Sequence, residues 1–277
     1  MEISASRWYE AITVRRSRRQ FDRSKPVSPE ILESLRSLCR EFHPFPHARA
    51  ELITESADRV FKGLIGQYGK IKGADAFIAF IGDMSGPSAQ EEVGYTGESI
   101  ILEATALGLG TCWVGGFFRP EAARQLVKIG PHEKILAVTP VGYTTERLST
   151  EERIMTGFGR SHQRIALSKL VTGLDIQEWP SWVKVSLEAA RLAPSAVNRQ
   201  PWRFEVGKDS VTVYVKNATL DFNVSKRLDC GIAMLHIEVA ALNSGIKGKW
   251  ELLLAPEVAR FRNLEVTNRS ARKPQTD

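Results

Sequence analysis

An α+β fold, duplicated within one chain and centred on two packed helices, is the class that this sequence predicts, and three observations carry it. The order helix, strand, helix, strand occurs twice along the 277 residues. Two long segments, about Glu91 to Leu107 and Cys230 to Ile246, are apolar on nearly every face, as helices buried mid-domain and packed against each other should be. A polar, irregular stretch from Thr144 to about Arg164 separates the repeats. The halves are therefore set at 1–165 and 166–277, although residue identity between them is low.

Taken in order, Ala5, Trp8, Tyr9 and Ile12 follow helical spacing and define a first helix. Ser28 caps a second whose first residue is Pro29, and Ile31, Leu32, Leu35, Leu38 and Phe42 form its buried stripe until "HPFPHA" ends it. A strand is expected at "DAFIAFIGD", then the first central helix, closed by Gly108 and Gly110, and a further strand at "ILAVTPVGYT". In the second half "WPSWVKVSLEAARLAP" is an amphipathic helix ending at a proline. It precedes paired strands "RFEV" and "VTVYV", the second central helix and a strand "WELLL".

Composition excludes several classes. The chain is 43% hydrophobic and 25% charged, ordinary for a globular protein with a sizeable core. Its longest apolar run, around Ile100 to Val114, carries Glu103 and is too short to span a bilayer. The start "MEISASRWYE" has acids and an aromatic pair where a signal peptide has a basic patch and an apolar stretch, so a cytoplasmic protein is expected. Cys39, Cys112 and Cys230 lie far apart without a CxxC and read as buried small hydrophobes. A net charge of +6 accompanies a pI near 9.3, but the basic residues are scattered and match no nucleic-acid-binding pattern. Anionic small ligands explain the excess better.

No G-x-S-x-G elbow, HExxH or Walker loop is present. His43 and His47 are separated by prolines and cannot share a helical face as zinc ligands. The glycines of "GLGTCWVGGF" close a helix instead of opening one, which sets them apart from a dinucleotide fingerprint; Gly115 and Gly116 offer backbone N–H groups. Two stretches carry more. "TVRRSRRQF" sets Arg15, Arg16, Arg18 and Arg19 around Ser17, either a solvated charge run or the guanidinium and hydroxyl donors that a phosphate needs. "APSAVNRQPWRF" holds Asn198 and Gln200, whose amides serve either turn chemistry or the edge of a planar heterocycle.

Together "RRSRRQF", "APSAVNRQPWRF" and "ALGLGTCWVGGF" resemble the three flavin-binding signatures of the nitroreductase family. Ordinary members carry all three in one shorter subunit and bind FMN at a homodimer interface. Here the first half has the arginine motif and glycine loop but "HPFPHARAEL" in place of PSxxN, and the second has only the PSAVNRQPW loop. That is similar to the single-chain, tandem nitroreductases, in which one chain imitates the dimer.

The resemblance implies one FMN per chain, NAD(P)H as electron donor, and a small acceptor such as a nitroaromatic or quinone, reduced in ping-pong fashion by hydride transfer through flavin N5. No side-chain acid or base is required. It places Arg15 and Ser17 at the phosphate and ribityl chain, Arg16 there partly through its backbone, and Arg18 toward solvent. In "SHQRIALSKLV", Arg164 is the late arginine reaching the same phosphate, with His162 a weaker candidate. Gln67 and Lys70 fall at an Asn/Lys pair, with Lys70 near flavin N1 and the C2 carbonyl. Val114, Gly115 and Gly116 line the edge near N5 and the C4 carbonyl; many relatives have glutamate where Gly115 stands. Pro194, Ser195, Ala196 and Asn198 close over the ring with Gln200 near it, and Trp202 belongs to the core. Neither nucleic acid nor membrane is an expected partner, and the chain is expected as a monomer or weak homo-oligomer. A specialised flavin redox step, such as flavin fragmentation or dehalogenation, and flavin binding without turnover are the alternatives.

Overall fold

Ala5–Val14 forms the first helix, α1, with Trp8, Ala11 and Ile12 on its buried face. The computed structural model describes residues 2–55, 57–61, 71–144, 163–216 and 224–264. Helix α2 (Pro29–Glu41) starts as its sequence dictates, the Ser28 hydroxyl accepting from the Ile31 N–H at 3.4 Å. There follow β1 (Ala48–Ile53), α3 (Ala57–Phe61), β2 (Ala76–Asp83), α4 (Ala89–Ala106), β3 (Gly110–Thr111), α5 (Pro120–Arg124) and β4 (Glu133–Gly142). The second set is β5 (Val171–Gly173), α6 (Ser181–Arg191), β6 (Trp202–Val206), β7 (Ser210–Val215), α7 (Lys226–Asn243), β8 (Gly248–Leu252) and β9 (Glu257–Asn263).

The strands form two sheets of matching order. One runs β1-β2-β4-β3, antiparallel throughout; the other runs β6-β7-β9-β8 in the same sense, with β5 added parallel outside β6. Strand β2 is buried on both faces, which explains its unbroken apolar sequence. Ala76, Ile78 and Phe80 face the main core between the sheets, while Phe77, Ala79 and Ile81 face a smaller core under α3 and α5. Each such buried Phe or Ile contributes about 1.5–3 kcal/mol relative to exposure.

Helices α4 and α7 lie against each other in the middle. Their closest approach is reciprocal: a Cβ at Gly94 would lie 2.0 Å from the Leu228 carbonyl oxygen, and one at Gly231 would lie 2.0 Å from that of Glu91. Each glycine is the sixth residue of its helix, counted from Ala89 and from Lys226, and each carbonyl belongs to the third. A contact in which i meets j and j meets i is what a two-fold relation produces.

Several expectations need correction. Strands β1, β3, β5 and β9 lie outside the sequence expectations, with Gly110 in β3 instead of capping a helix, and β8 begins two residues before "WELLL". Helix α7 begins at Lys226, ahead of Cys230, because the Ser225 hydroxyl accepts from the Arg227 N–H at 3.1 Å. The central helices are also less apolar than their pattern suggests, since the Arg227 guanidinium reaches across to buried Glu91, Nε to Oε2 at 2.9 Å. Arg227 Nη2 also donates to Glu91 Oε1, and Nη1 and Nη2 donate to the carbonyls of Glu257 and Leu253, each at 2.9 Å, so the cation facing buried Glu91 is held by several hydrogen bonds. Among the described residues no helix is long and apolar enough to cross a membrane.

Candidate functional site

The arginine motif begins where α1 stops. Arg15 donates its backbone N–H to the Ala11 carbonyl at 2.8 Å and then turns extended, which lays residues 17–21 beside the glycine-rich segment. Ser17 bridges Thr111, the Arg18 N–H donates to the Thr111 carbonyl at 2.8 Å, and Phe21 bridges Thr144. Two of the three sequence signatures are thus side by side.

The Arg15 side chain is 7% exposed. Its Nη1 is buried without a hydrogen-bond partner among the described residues, and the Glu98 carboxylate stands 3.9 Å from Nε, beyond hydrogen-bonding distance. Burial pulls its pKa down, with Glu98 opposing. A guanidinium this deep, with a donor unpaired among the described residues, is a candidate to meet an anionic ligand. Arg16 differs: it is exposed, and its Nη1 donates to the Thr13 and Arg15 carbonyls at 2.9 and 2.8 Å, capping the end of α1. Ser17 is half-buried. Arg18, expected toward solvent, is half-buried with its β- and γ-carbons close to Gly110.

Arg164 arrives from the far side. Its Nη1 donates to the Asn198 Oδ1 at 2.8 Å and its Nη2 to the Leu192 carbonyl at 3.3 Å. Its pKa is lowered to about 10, first by burial and then by the positive charges of Arg15, Arg16 and Arg191. Four arginines therefore converge closely enough to depress the ionisation of one. Such a cluster is stabilised by a multiply charged anion.

The 194–200 loop is held in an uncommon shape. Val197, Asn198 and Gln200 have φ of 52°, 54° and 46°, and Val197 is β-branched and exposed. Left-handed backbone at a β-branched residue stores strain and persists where surrounding contacts enforce it. Those contacts are present: the Ala196 N–H donates to Asp229 Oδ1 at 3.1 Å, Arg199 Nε to Asp229 Oδ2 at 2.6 Å, and the Gln200 N–H to the Ser195 hydroxyl at 3.0 Å. Pro194 starts the loop from the end of α6, and Trp202 is fully buried in β6, as expected of a core residue. The Gln200 amide is engaged by backbone. Its Oε1 accepts from the Ile165 N–H at 2.9 Å and its Nε2 donates to the Gln163 carbonyl at 3.1 Å, so its amide fastens Arg164's own segment to the loop.

The glycine loop meets the same region. Val114 is anchored to Val138 by two 2.9 Å backbone hydrogen bonds. Gly115 and Gly116 are half-buried, and a Cβ at Gly115 would lie 2.9 Å from the Val224 side chain, whose carbonyl accepts from Arg199 Nη2 at 2.9 Å. A glutamate at 115 has no room without moving Val224. Sequence reasoning missed Asp229, which lies one residue before the apolar run taken as the second central helix and organises the loop from within α7. Gln67, Lys70 and His162 lie outside the described residues.

The remaining candidates hold no chemistry. Burial pushes the Cys39 thiol up to about 12 and the Cys230 thiol well above its ordinary value, so neither is a thiolate. His43 turns to the Arg40 carbonyl at 2.8 Å while His47 faces Glu92 at 3.1 Å, so the two do not converge.

The sequence model of the family described as "Putative TM nitroreductase" matches residues 7–241. The chain belongs to this family. A nitroreductase from Thermotoga maritima has a similar solved structure, 19% identical, with a TM-score of 0.63 over 92% of this chain and 93% of that one. A nitroreductase family protein of Clostridium difficile 630 is 21% identical over 61% of this chain and 98% of its own, with a TM-score of 0.45. An FMN-bound nitroreductase from Bacteroides fragilis is 16% identical over 51% of this chain and 90% of its own, with a TM-score of 0.41. No curated protein matches the sequence. The structural likeness to the Thermotoga nitroreductase establishes the α+β nitroreductase fold for this family member over nearly its whole length.

Proposed function

We propose that this nitroreductase-family protein is an FMN-dependent oxidoreductase holding one FMN per chain between two duplicated halves, 1–165 and 166–277. The observation that carries this reading is the convergence of Arg15 with Arg164, one with an orphaned buried donor and the other with its ionisation depressed by its neighbours. Two guanidinium forks suit a phosphate dianion, to which each charge-assisted hydrogen bond contributes roughly 1.5–3 kcal/mol.

Bound FMN would supply hydride-transfer chemistry between NAD(P)H and a nitroaromatic or quinone acceptor. The chain supplies position. Arg15 and Arg164 hold the phosphate, with Ser17 beside Thr111 offering a hydroxyl. Gly115 and Gly116 offer backbone N–H groups to the ring edge, and the 194–198 segment, fastened by Asp229, gives a rigid wall from the other half. No side chain is asked to move a proton.

The matching sheet orders and the reciprocal Gly94 and Gly231 contacts support the duplication. So does a tryptophan seven residues past each central helix, Trp113 after Ala106 and Trp250 after Asn243. A difference in loop length supports a single site. Residues 193–201 connect α6 to β6, whereas only 43–47 connect the end of α2 to β1. That short loop is drawn onto α4, with Phe45 edge-on to Tyr95 at 5.1 Å and the His47 N–H donating to Glu92 at 2.7 Å.

The test is to mix the purified protein with FMN, remove free flavin, record the spectrum, and follow NADH and NADPH oxidation with menadione or a nitroaromatic. Retained FMN and acceptor-dependent oxidation are expected. Retention without oxidation favours a flavin-binding protein, and failure to retain FMN contradicts the proposal.

A further inference from the structure

We propose that Glu98 and His236 hold one proton between them, and that this neutral pair keeps the charge of Arg15 uncompensated for a ligand phosphate. The second clause rests on the FMN reading above; the first does not.

Glu98 of α4 and His236 of α7 are both fully buried where the central helices meet. His236 Nδ1 stands 2.9 Å from the Ala189 carbonyl oxygen, which can only accept, so Nδ1 carries a hydrogen. His236 Nε2 stands 3.0 Å from Glu98 Oε1. A bare ring nitrogen opposite an ionised carboxylate oxygen would set lone pair against lone pair in a dry interior, where an unsatisfied polar contact is costly. A proton therefore lies in that contact, as imidazolium with carboxylate or imidazole with carboxylic acid, and both distributions give zero net charge.

The other groups facing the pair do not alter the count. Trp113 Nε1 donates to Glu98 Oε2 at 2.6 Å and is uncharged. Among the described residues, α6 contributes the Ala189 carbonyl to the pair and the end of α1 brings Arg15, with Cys112 near that guanidinium. An ionised Glu98 without His236 would be a counter-ion for Arg15 at 3.9 Å, competing with any phosphate. His236 removes that competition, which makes it a positioning residue acting through Glu98 on Arg15.

Two measurements test this. In the full-length protein without ligand, NMR of the His236 ring nitrogens and the Glu98 carboxyl carbon at neutral pH should find one shared proton: a doubly protonated ring, or a protonated carboxyl beside a neutral ring. A neutral ring with Nε2 bare beside an ionised Glu98 would overturn the proposal. FMN titrations then read the consequence. His236→Met should weaken binding about tenfold, the scale of one charge–charge interaction in a partly buried site. Glu98→Gln should leave affinity within about threefold, and Glu98→Gln/His236→Met should regain most of the loss. Equal affinity of His236→Met and wild type, or a double variant no better than His236→Met, would overturn the coupling to Arg15. If His236→Met does not fold, the NMR result and Glu98→Gln decide. Failure of wild type to bind FMN would sink the cofactor reading, and with it the second clause, while the proton count is still read from the ligand-free protein.

Discussion

The Arg164 guanidinium donates to the Asn198 side-chain oxygen at 2.8 Å, joining a cation to a loop residue whose φ is 54°. Asn198 in turn donates its Nδ2 to the Gln163 carbonyl at 3.0 Å, so the segment that carries Arg164 and the strained loop orient each other. The cation is fixed before any ligand arrives, which reduces the entropy lost on binding.

Replacing Arg164 or Arg15 with alanine should weaken FMN binding by roughly tenfold to a hundredfold, the equivalent of one charge-assisted hydrogen bond. Thermal stability should fall little, because each change also removes a buried cation held among others. Flavin fluorescence titration and a melting curve on the same samples check both halves of this statement. Unchanged affinity in both variants would remove the two arginines from the site.

Gly231→Ala should be strongly destabilising even though alanine has the better helix propensity. Its methyl would lie 2.0 Å from the Glu91 carbonyl oxygen, a backbone atom that cannot step aside without separating α4 from α7. Overpacking typically costs about 1–3 kcal/mol, and a 2.0 Å approach to a rigid backbone atom belongs at or above the top of that range, which exceeds a helix-propensity gain of about 1 kcal/mol. Denaturant titration should place the variant well below wild type. Equal or greater stability would mean that the helices do not cross at this point.

Glu238 gives the fold a pH dependence of predictable sign. Burial raises its pKa, outweighing the hydrogen bonds that its Oε2 accepts from Tyr95 at 2.6 Å and Trp250 at 2.8 Å. A carboxyl whose folded pKa is raised contributes stability that is complete below its ordinary pKa and is lost as pH rises through the raised value. Glu238→Gln keeps an acceptor oxygen without the charge. Denaturation midpoints measured upward from pH 4.5 should therefore fall for wild type and less for Glu238→Gln. Parallel curves would show that Glu238 does not titrate in this window.

Much of this was legible in the sequence because the decisive signals are local. Helical spacing located α1, α2 and α6, and the unbroken apolar run of β2 reflects its two buried faces. Strand β1, "ARAELI", escaped because its half-buried positions carry the charges of Arg49 and Glu51 while buried Ala48 and Ala50 are small, leaving Leu52 and Ile53 at its end as the large apolar residues. Strand β9 is broken in register at Val213/Tyr214 of its partner and shows a blurred alternation. In the candidate site, Arg15, Arg164 and Gln200 were all singled out by motifs, but the partners of the Gln200 amide were not legible. That amide faces backbone at 163 and 165 across a contact that only the folded chain creates. Asp229, Glu98 and His236 were hidden inside helices that average to apolar, where each is made tolerable by a partner from another element, Arg199 of the loop for Asp229 and each other across the helix interface for Glu98 and His236.

The most direct test of one composite site is the stoichiometry of FMN binding to the intact chain, with flavin titrated into a known concentration of cofactor-free protein. In the proposed site Arg15 and Arg164 would form one phosphate cradle, and the short 43–47 loop supports an incomplete counterpart. Saturation at one equivalent is expected, falling toward zero in an Arg15→Ala/Arg164→Ala variant at the same concentrations. Saturation near two equivalents, or binding that the double variant leaves unchanged, would contradict it.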